Sequence, residues 1–204
     1  MSTFIEIPAS NKSIGQRKLI NGIGVNDSPY TVTTYLDGIQ TICPVYQTWR
    51  SMLERCYDPK YQIKKPTYIG CSVCVEWLSF MNFRAWMTTQ DYAGKTLDKD
   101  LLITGNRVYR PEACIFLSNT INSLLANTGY SNKGCPIGVS WRKKPQKFLA
   151  RCNTHRGNKS LGYYDTAEEA HQVYREFKSN YIREIADTQP EPIRSGLYRH
   201  ADLI

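Results

Sequence analysis

Two cysteines separated by two residues, Cys71 and Cys74, have the spacing of one half of a zinc site. Cys43 and Cys56 would complete a four-cysteine set if the intervening helix folded back onto the Cys71 loop. Twelve residues separate Cys43 from Cys56, whereas a strong zinc pattern has two close pairs. Structural Zn²⁺ and buried free thiols are therefore the two interpretations of these residues.

A second group of residues that could do chemistry is cationic. Eight Lys or Arg and no Asp or Glu lie between Lys133 and Tyr164, although the whole chain has 26 Lys and Arg against 18 Asp and Glu. Clustered cations neutralise phosphates, and Arg and Asn bind base edges. The stretch predicts binding to double-stranded DNA, and a solvated basic face without a partner is the alternative.

Three short runs of strand character would position these cations, at residues 138–142, 147–153 and 158–164, with turn residues between them. A helix is predicted to follow. Thr166 is its expected N-cap, and Glu169, three residues on, completes a capping box.

Alternation along the middle strand separates two faces of this predicted sheet. Phe148, Ala150 and Cys152 point one way and can pack on the helix. The opposite face is polar and cationic, and such a sheet face suits the major groove of DNA. The residues predicted to contact DNA are Ser140, Arg142, Lys143, Lys144, Arg151, Asn153 and Ser160, with Lys147, Leu149 and Asn158 beside them.

This stretch resembles the apetala-two DNA-binding domain of plant ethylene-response factors, versions of which also occur at the C-terminal side of phage and mobile-element endonucleases. The matching residues, within a span of about fifty, are Gly138-Val139, 147–150, 161–164, 166–170 and Tyr174. The resemblance implies that Ser140, Arg142, Arg151, Asn153 and Ser160 lie where the family's base and phosphate contacts come from. Ser160 replaces a Trp typical of plant members, so the resemblance implies DNA binding without a particular sequence preference.

Acidic and amide residues accompany a predicted strand, turn, strand and helix further towards the N-terminus. The first strand is expected at 97–102, the turn at 104–107, the return strand at 108–109 and the helix from Asn119 to about residue 125. This order is the layout of a ββα metal finger.

The same segment resembles the HNH endonucleases of phages. The resemblance implies that Asp98 and Asn122 bind Mg²⁺ or another divalent ion. Lys99 stands where that family has its catalytic His, and Ala113 replaces its middle Asn. Residues 46–86 also resemble the N-terminal part of phage proteins that carry this finger, and together these matches cover roughly two thirds of the chain.

Hydrolysis of a phosphodiester at neutral pH needs a base and a divalent ion. Histidine titrates in the useful range, but none of the chain's three histidines lies in the finger. An active enzyme would hold Mg²⁺ with Asp98 or Asp100 and Asn122, use a metal-bound water as nucleophile, and have Lys99 at the position of the base. The alternative is a finger kept as a scaffold, with the Asp98, Lys99 and Asp100 side chains as surface charges.

Composition limits the remaining choices. A chain of 204 residues, 41% of them hydrophobic, can form one compact unit or two small domains and is not expected to be disordered. No run of eighteen apolar residues and no signal-peptide pattern occurs, so we expect a soluble cytoplasmic protein, in a bacterial host if phage-encoded, without a membrane partner. Seven cysteines without a secretory signal favour reduced thiols or metal ligands over disulfides.

The sequence therefore predicts an α+β protein. Its expected parts are an N-terminal extension with a hairpin (1–42), a Cys-containing helical region with an HNH-like finger (43–127, the finger at about 95–125), a linker (126–132), a three-stranded antiparallel sheet on one helix (133–186) and an extended tail (187–204). The expected function is that of a phage DNA-binding protein related to HNH homing endonucleases, with cleavage left open. The alternatives are a non-catalytic DNA-binding regulator and a protein that binds a host protein to counter host defence.

Overall fold

The structure, a computed structural model, describes residues 4–36, 38–125 and 134–204. The chain divides into two compact units, Met1–Phe116 and Leu117–Ile204. The predicted linker 126–132 and Asp37 of the predicted hairpin turn lie outside the described residues. The predicted α+β class is confirmed, because helices alternate with several small sheets.

The described residues form seven α-helices and nine strands. The helices are α1 (Asn11–Gly15), α2 (Pro44–Tyr57), α3 (Pro59–Lys64), α4 (Phe80–Met87), α5 (Asn119–Leu125), α6 (Ala167–Asp187) and α7 (Ile193–Asp202). The strands are β1 (Thr33–Leu36), β2 (Ile39–Ile42), β3 (Ser72–Val73), β4 (Thr96–Asp98), β5 (Val108–Tyr109), β6 (Ile115–Leu117), β7 (Val139–Arg142), β8 (Lys147–Thr154) and β9 (Gly157–Tyr164). Within the described ranges, no helix combines the length and the apolar character needed to cross a lipid bilayer.

Aromatic side chains around α2 form the core of the first unit. The buried residues of α2 recur every three or four positions, as expected for a helix with one apolar face: Val45, Tyr46, Trp49, Met52, Leu53 and Cys56. Trp49 is completely buried, and its Nε1 donates a hydrogen bond of 2.7 Å to the carbonyl oxygen of Trp77. The Phe80 ring of α4 packs against Trp49 with a centroid distance of 5.5 Å.

Short strands pair around this core. β1 and β2 pair antiparallel, at the place where the sequence predicts a hairpin. β3 pairs with β5 in parallel, and β4 pairs with β6. The hairpin predicted between residues 97–102 and 108–109 is therefore wrong, since each segment has another strand as its partner.

The chain leaves its extended course directly after β4, and this explains the wrong hairpin. Asp98 Oδ1 accepts hydrogen bonds from the backbone N–H groups of Asp100 (2.9 Å) and Leu101 (2.8 Å). A carboxylate that binds the amides two and three residues ahead stabilises a turn instead of a continuing strand. The strand predicted to reach residue 102 consequently ends at Asp98.

The second unit contains an antiparallel sheet in the order β7-β8-β9. Ala150 in the middle strand lies opposite Val139 on one side and Gly162 on the other. A β-bulge follows, because Arg151 pairs with Ser160 and Leu161 is thus an extra residue in β9. Bulges increase the local right-handed twist of a sheet.

Helix α6 covers one face of this sheet. It begins with the predicted capping box, which is confirmed: Thr166 Oγ1 accepts a hydrogen bond from Glu169 N–H (3.2 Å), and Glu169 Oε2 accepts one from Thr166 N–H (3.4 Å). Ala170 of α6 and Ala150 of β8 are both completely buried and belong to one apolar cluster.

The tail predicted as extended is wrong, since residues 193–202 form α7, which packs on α6. Leu197 and Ala201, one helical turn apart, are buried. Arg183 of α6 pairs with Asp202 at 2.5 Å. The prolines near residue 190 led to the prediction of an extended tail. Pro192, however, immediately precedes the helix, at a position where a proline removes no helical hydrogen bond.

The approach of Gly138 to α6 gives a test of this packing. Gly138 has φ +78°, and a Cβ there would lie 2.2 Å from Cδ2 of Tyr174. Gly134 has nearly the same φ, +76°, but a Cβ there would meet nothing within 4 Å. We expect Gly134→Ala to lower the free energy of unfolding by about 1 kcal/mol through backbone strain, and Gly138→Ala by about 2–4 kcal/mol through strain and steric overlap. Equal losses in urea unfolding of the two variants would contradict this packing.

Candidate nucleic-acid interface

The face of the sheet opposite α6 has the polar residues that the sequence predicts to contact DNA. Residues paired across neighbouring strands project to the same side. Three such cross-strand pairs lie on the face opposite α6: Arg142 with Lys147, Arg151 with Ser160, and Asn153 with Asn158. We call this surface the outer face.

Exposure along the outer face is uneven. Arg151, Asn153, Asn158 and Ser160 are exposed, as are Lys143 and Lys144 in the turn between β7 and β8. Arg142 and Lys147 are half-buried. Ser140 lies closer to the interior, because its Oγ is buried and has no hydrogen-bond partner among the described residues.

Few of the cations on the outer face are neutralised by an acidic side chain among the described residues. Neither Arg142 nor Arg151 forms an ion pair with a described residue. Lys147 Nζ lies 3.0 Å from Asp165 Oδ1, but the side chain of Asp165 is 79% exposed, and a pair so open to water contributes little. The outer face therefore keeps a positive potential available to an anionic partner.

The outer face narrows from three strands to two at the bulge. The last hydrogen bond to the β7 side joins Arg151 N–H to the carbonyl oxygen of Gly138 (2.8 Å). Beyond it, residues 151–154 and 157–160 pair only with each other within the sheet. The exposed Arg, Asn and Ser side chains thus lie on a two-stranded ribbon.

The turn at the end of this ribbon is fixed to α6. The backbone N–H of His155 donates to the hydroxyl of Tyr181 at 2.9 Å, and His155 Nδ1 lies 2.5 Å from the same hydroxyl. The two rings stack with an interplanar angle of 13°. Thr154 Oγ1 donates to the carbonyl oxygen of Gly157 (2.8 Å), which closes the turn. These contacts fix the orientation of the ribbon relative to α6.

The residues that the HNH resemblance singles out are engaged in local structure. Lys99 is 7% exposed, and its Nζ donates to Asp100 Oδ1 (2.6 Å) and to the carbonyl oxygen of Asn106 (2.9 Å). Burial raises the pKa of Asp98, and its two backbone donors act in the opposite direction. Asn122 is half-buried on α5, in the second unit.

Asn106, which the sequence analysis did not single out, closes the loop after β4. Its Nδ2 donates to the carbonyl oxygens of Lys99 and Val108, both at 2.8 Å. Together with the bond from Lys99 Nζ to its own carbonyl, these contacts tie the two ends of the loop to each other. An Asn directly after the turn glycine Gly105 was the available signal, but the partners of Asn106 depend on the folded loop.

The four cysteines of the predicted zinc set do not form one group. Cys56 is buried beside Cys71, and burial, with the Cys71 thiol as a second cause, raises the pKa of Cys56 to about 12. Cys43 lies next to Tyr30, whereas Cys74 lies near Glu76. In the part of the chain that the structure describes, no three His, Cys, Asp or Glu side chains are arranged to hold a metal ion. Zinc and magnesium stay predictions from the sequence.

Comparison with known proteins adds no relative: no protein-family model, curated protein or solved structure matches the chain.

The contacts of Lys99 predict its role in stability. Lys99→Met should lower the free energy of unfolding by about 1–3 kcal/mol, because the Asn106 carbonyl and the Asp100 carboxylate lose a buried donor. The matched control is Lys95→Met. Lys95 also pairs with an aspartate, Asp91, but that carboxylate is 82% exposed, so its loss should cost at most about 1 kcal/mol. Urea unfolding of both variants gives the comparison, and a Lys99→Met loss no larger than that of Lys95→Met contradicts a structural role.

Proposed function

We propose that this protein binds double-stranded DNA through the outer face of the β7-β8-β9 sheet. The observation that supports the proposal best is the row of exposed polar side chains on the ribbon, with Arg151, Asn153, Asn158 and Ser160 on one side of two paired strands. The stretch from Lys133 to Tyr164 contains no acidic residue that would repel phosphate.

The dimensions of the ribbon suit the major groove. Paired strands lie about 4.8 Å apart, and the eight residues of β8 span roughly 27 Å. The major groove is about 12 Å wide and admits a two-stranded ribbon with its side chains. The widened, three-stranded part of the sheet, with Arg142 and Lys147, would then lie towards the sugar-phosphate backbone.

Two kinds of contact follow from the residue types. Arg151, Asn153 and Asn158 have side chains that form paired hydrogen bonds with base edges. Lys143 and Lys144 are exposed point charges in a turn and suit phosphates, which fix position without reading sequence. The attachment of the His155 turn to Tyr181 would present the ribbon in a fixed direction, so little conformational entropy is lost on binding.

We further propose that the HNH-like segment serves as a scaffold in a non-catalytic DNA-binding protein. Lys99, at the position of the HNH base, uses its ammonium group as a donor to Asp100 and to the Asn106 carbonyl. A group that already donates in two partly buried hydrogen bonds is poorly placed to accept a proton from water. Asp98 is likewise occupied with the turn after β4.

DNA binding is tested by fluorescence anisotropy of a labelled duplex at several salt concentrations. Arg151→Ala should weaken binding by about 1–3 kcal/mol. Lys144→Ala should lower the slope of log K against log salt by about 0.9, which corresponds to one lost phosphate contact. Arg194→Ala is the control, because Arg194 is an exposed cation on α7, away from the outer face. Binding that is absent, independent of salt or equally weakened in all three variants rejects the proposed interface.

The scaffold role is tested by incubating supercoiled plasmid with the protein and Mg²⁺ or Mn²⁺. We expect retention of the plasmid without nicking. Nicking that disappears in Asp98→Ala and in Asn122→Ala, while both variants still retain DNA, would show that the segment is catalytic. A trace nuclease in the preparation is recognised because its nicking persists in both variants.

A further inference from the structure

Cations and exposed isoleucines lie together on the first unit, on helix α3 and the segment that follows it. The stretch from Pro59 to Val75 contains three lysines and no Asp or Glu. All three lysines are exposed, and so is the nearby Arg107, whose Nη1 donates a hydrogen bond of 2.6 Å to the carbonyl oxygen of Ile69. We call this surface the α3 patch, and it consists of Lys60, Ile63, Lys64, Lys65, Ile69 and Arg107.

Helical spacing places two of the lysines and an isoleucine on one side of α3. Lys60, Ile63 and Lys64 are three and four residues apart, so their side chains are neighbours on the helix surface. Ile63 is 79% exposed, the highest value among the large apolar side chains that the structure describes. Lys60 and Lys64 are separated by about 6 Å along the helix axis. The two ammonium groups, on flexible stems, can therefore reach two separate anionic groups.

The backbone that carries the α3 patch is held in place. Gln62 Nε2 donates a hydrogen bond of 2.6 Å to the carbonyl oxygen of Cys56, which ties α3 to α2. The rings of Tyr61 and Tyr68 pack edge to face with a centroid distance of 5.8 Å, and this contact joins α3 to the short 3₁₀ turn Pro66–Tyr68. A partner would consequently order only the side chains of the patch, which limits the entropy lost on binding.

The carboxylates closest to the α3 patch leave its lysines unneutralised. None of the three lysines forms an ion pair with a described residue. Asp58 uses Oδ1 to accept a hydrogen bond from the backbone N–H of Lys60 (2.8 Å), as the N-cap of α3. Asp100, which lies near Tyr68, pairs with Lys99 at 2.6 Å. The patch thus presents positive charge to the solvent.

The residue types of the α3 patch suit the sugar-phosphate backbone of a nucleic acid. Lysine ammonium groups bind phosphates as point charges and have no fixed hydrogen-bonding pattern with which to recognise a base. Ile63, between Lys60 and Lys64, offers apolar surface to the sugars that separate the phosphates. A lipid surface is a poorer fit, because a six-residue helix and two exposed isoleucines provide little apolar area for insertion.

We infer that the α3 patch is a second DNA-binding surface, which contacts the backbone of the duplex without recognising its sequence. This inference rests on the proposed binding of DNA by the second unit and adds a contact made by the first. Because both units belong to one chain, binding of a duplex to one of them raises the effective concentration of DNA at the other. A few phosphate contacts that are weak alone then contribute to the joint affinity.

The test is fluorescence anisotropy of the full chain with a labelled duplex at several salt concentrations. The double variant Lys64→Gln/Lys65→Gln should lower the slope of log K against log salt by about 1.8, which corresponds to two lost phosphate contacts. Binding at about 0.1 M salt should weaken about tenfold or more. The loss should be equal for two duplexes of unrelated sequence, because phosphate contacts carry no base information.

Lys12→Gln/Lys18→Gln is the matched control. It removes two exposed lysines of the same unit, so the net charge changes by the same amount as in the test variant. Lys12 lies in α1 and Lys18 lies outside any helix, so the two do not share a helix face. The control should bind both duplexes with an unchanged slope. Circular dichroism verifies that the four replaced lysines leave the fold intact, as expected for exposed side chains.

Two results would overturn the inference. The first is a change of slope in Lys64→Gln/Lys65→Gln no larger than in the control. The second is retention by phosphatidylserine vesicles that this variant loses while its duplex binding is unaltered, which would assign the patch to a lipid surface. Failure of the ribbon as an interface gives a different pattern, in which Lys144→Ala leaves the slope unchanged while Lys64→Gln/Lys65→Gln still lowers it. Absence of duplex binding by the unaltered chain rejects both proposals.

Discussion

The packing of α6 against one face of the β7-β8-β9 sheet is the constraint on which the proposed activity depends. Ala150 and Ala170 are completely buried in this contact. Because side chains alternate along a strand, burial of one row fixes the other row on the opposite face. The exposure of Arg151 and Asn153 is thus a consequence of an apolar contact to which neither residue contributes.

Local patterns in the sequence were sufficient for this part of the fold. The capping box at Thr166 and Glu169 depends on residues three apart, and the two faces of β8 depend on simple alternation. Pairing between distant segments could not be read in the same way. β4 pairs with β6, which follows only after the loop containing Asn106, and no short-range pattern distinguishes this partner from β5.

The two polar groups that interrupt the core of the second unit show a further limit of sequence reasoning. Lys178 occupies a position in the apolar stripe of α6, at four residues from Tyr174 and three from Tyr181, so its burial could have been anticipated from spacing. The absence of a hydrogen-bond or ion-pair partner among the described residues could not be anticipated, because it depends on which strands surround the helix. Ser140 was expected at the surface by alternation, but its hydroxyl is buried.

The bulge in β9 has an evolutionary consequence. Leu161, the extra residue, packs with the apolar cluster under the sheet, while Ser160 and Asn158 share a side with Arg151 and Asn153, their partners in β8. Loss of this one residue by a three-nucleotide deletion would remove the bulge, yet Ser160 would still lie opposite Arg151 and Asn158 opposite Asn153. A single codon therefore sets the local twist of the ribbon and leaves its displayed side chains unchanged, so descendants could gain or lose the bulge and keep the same binding surface.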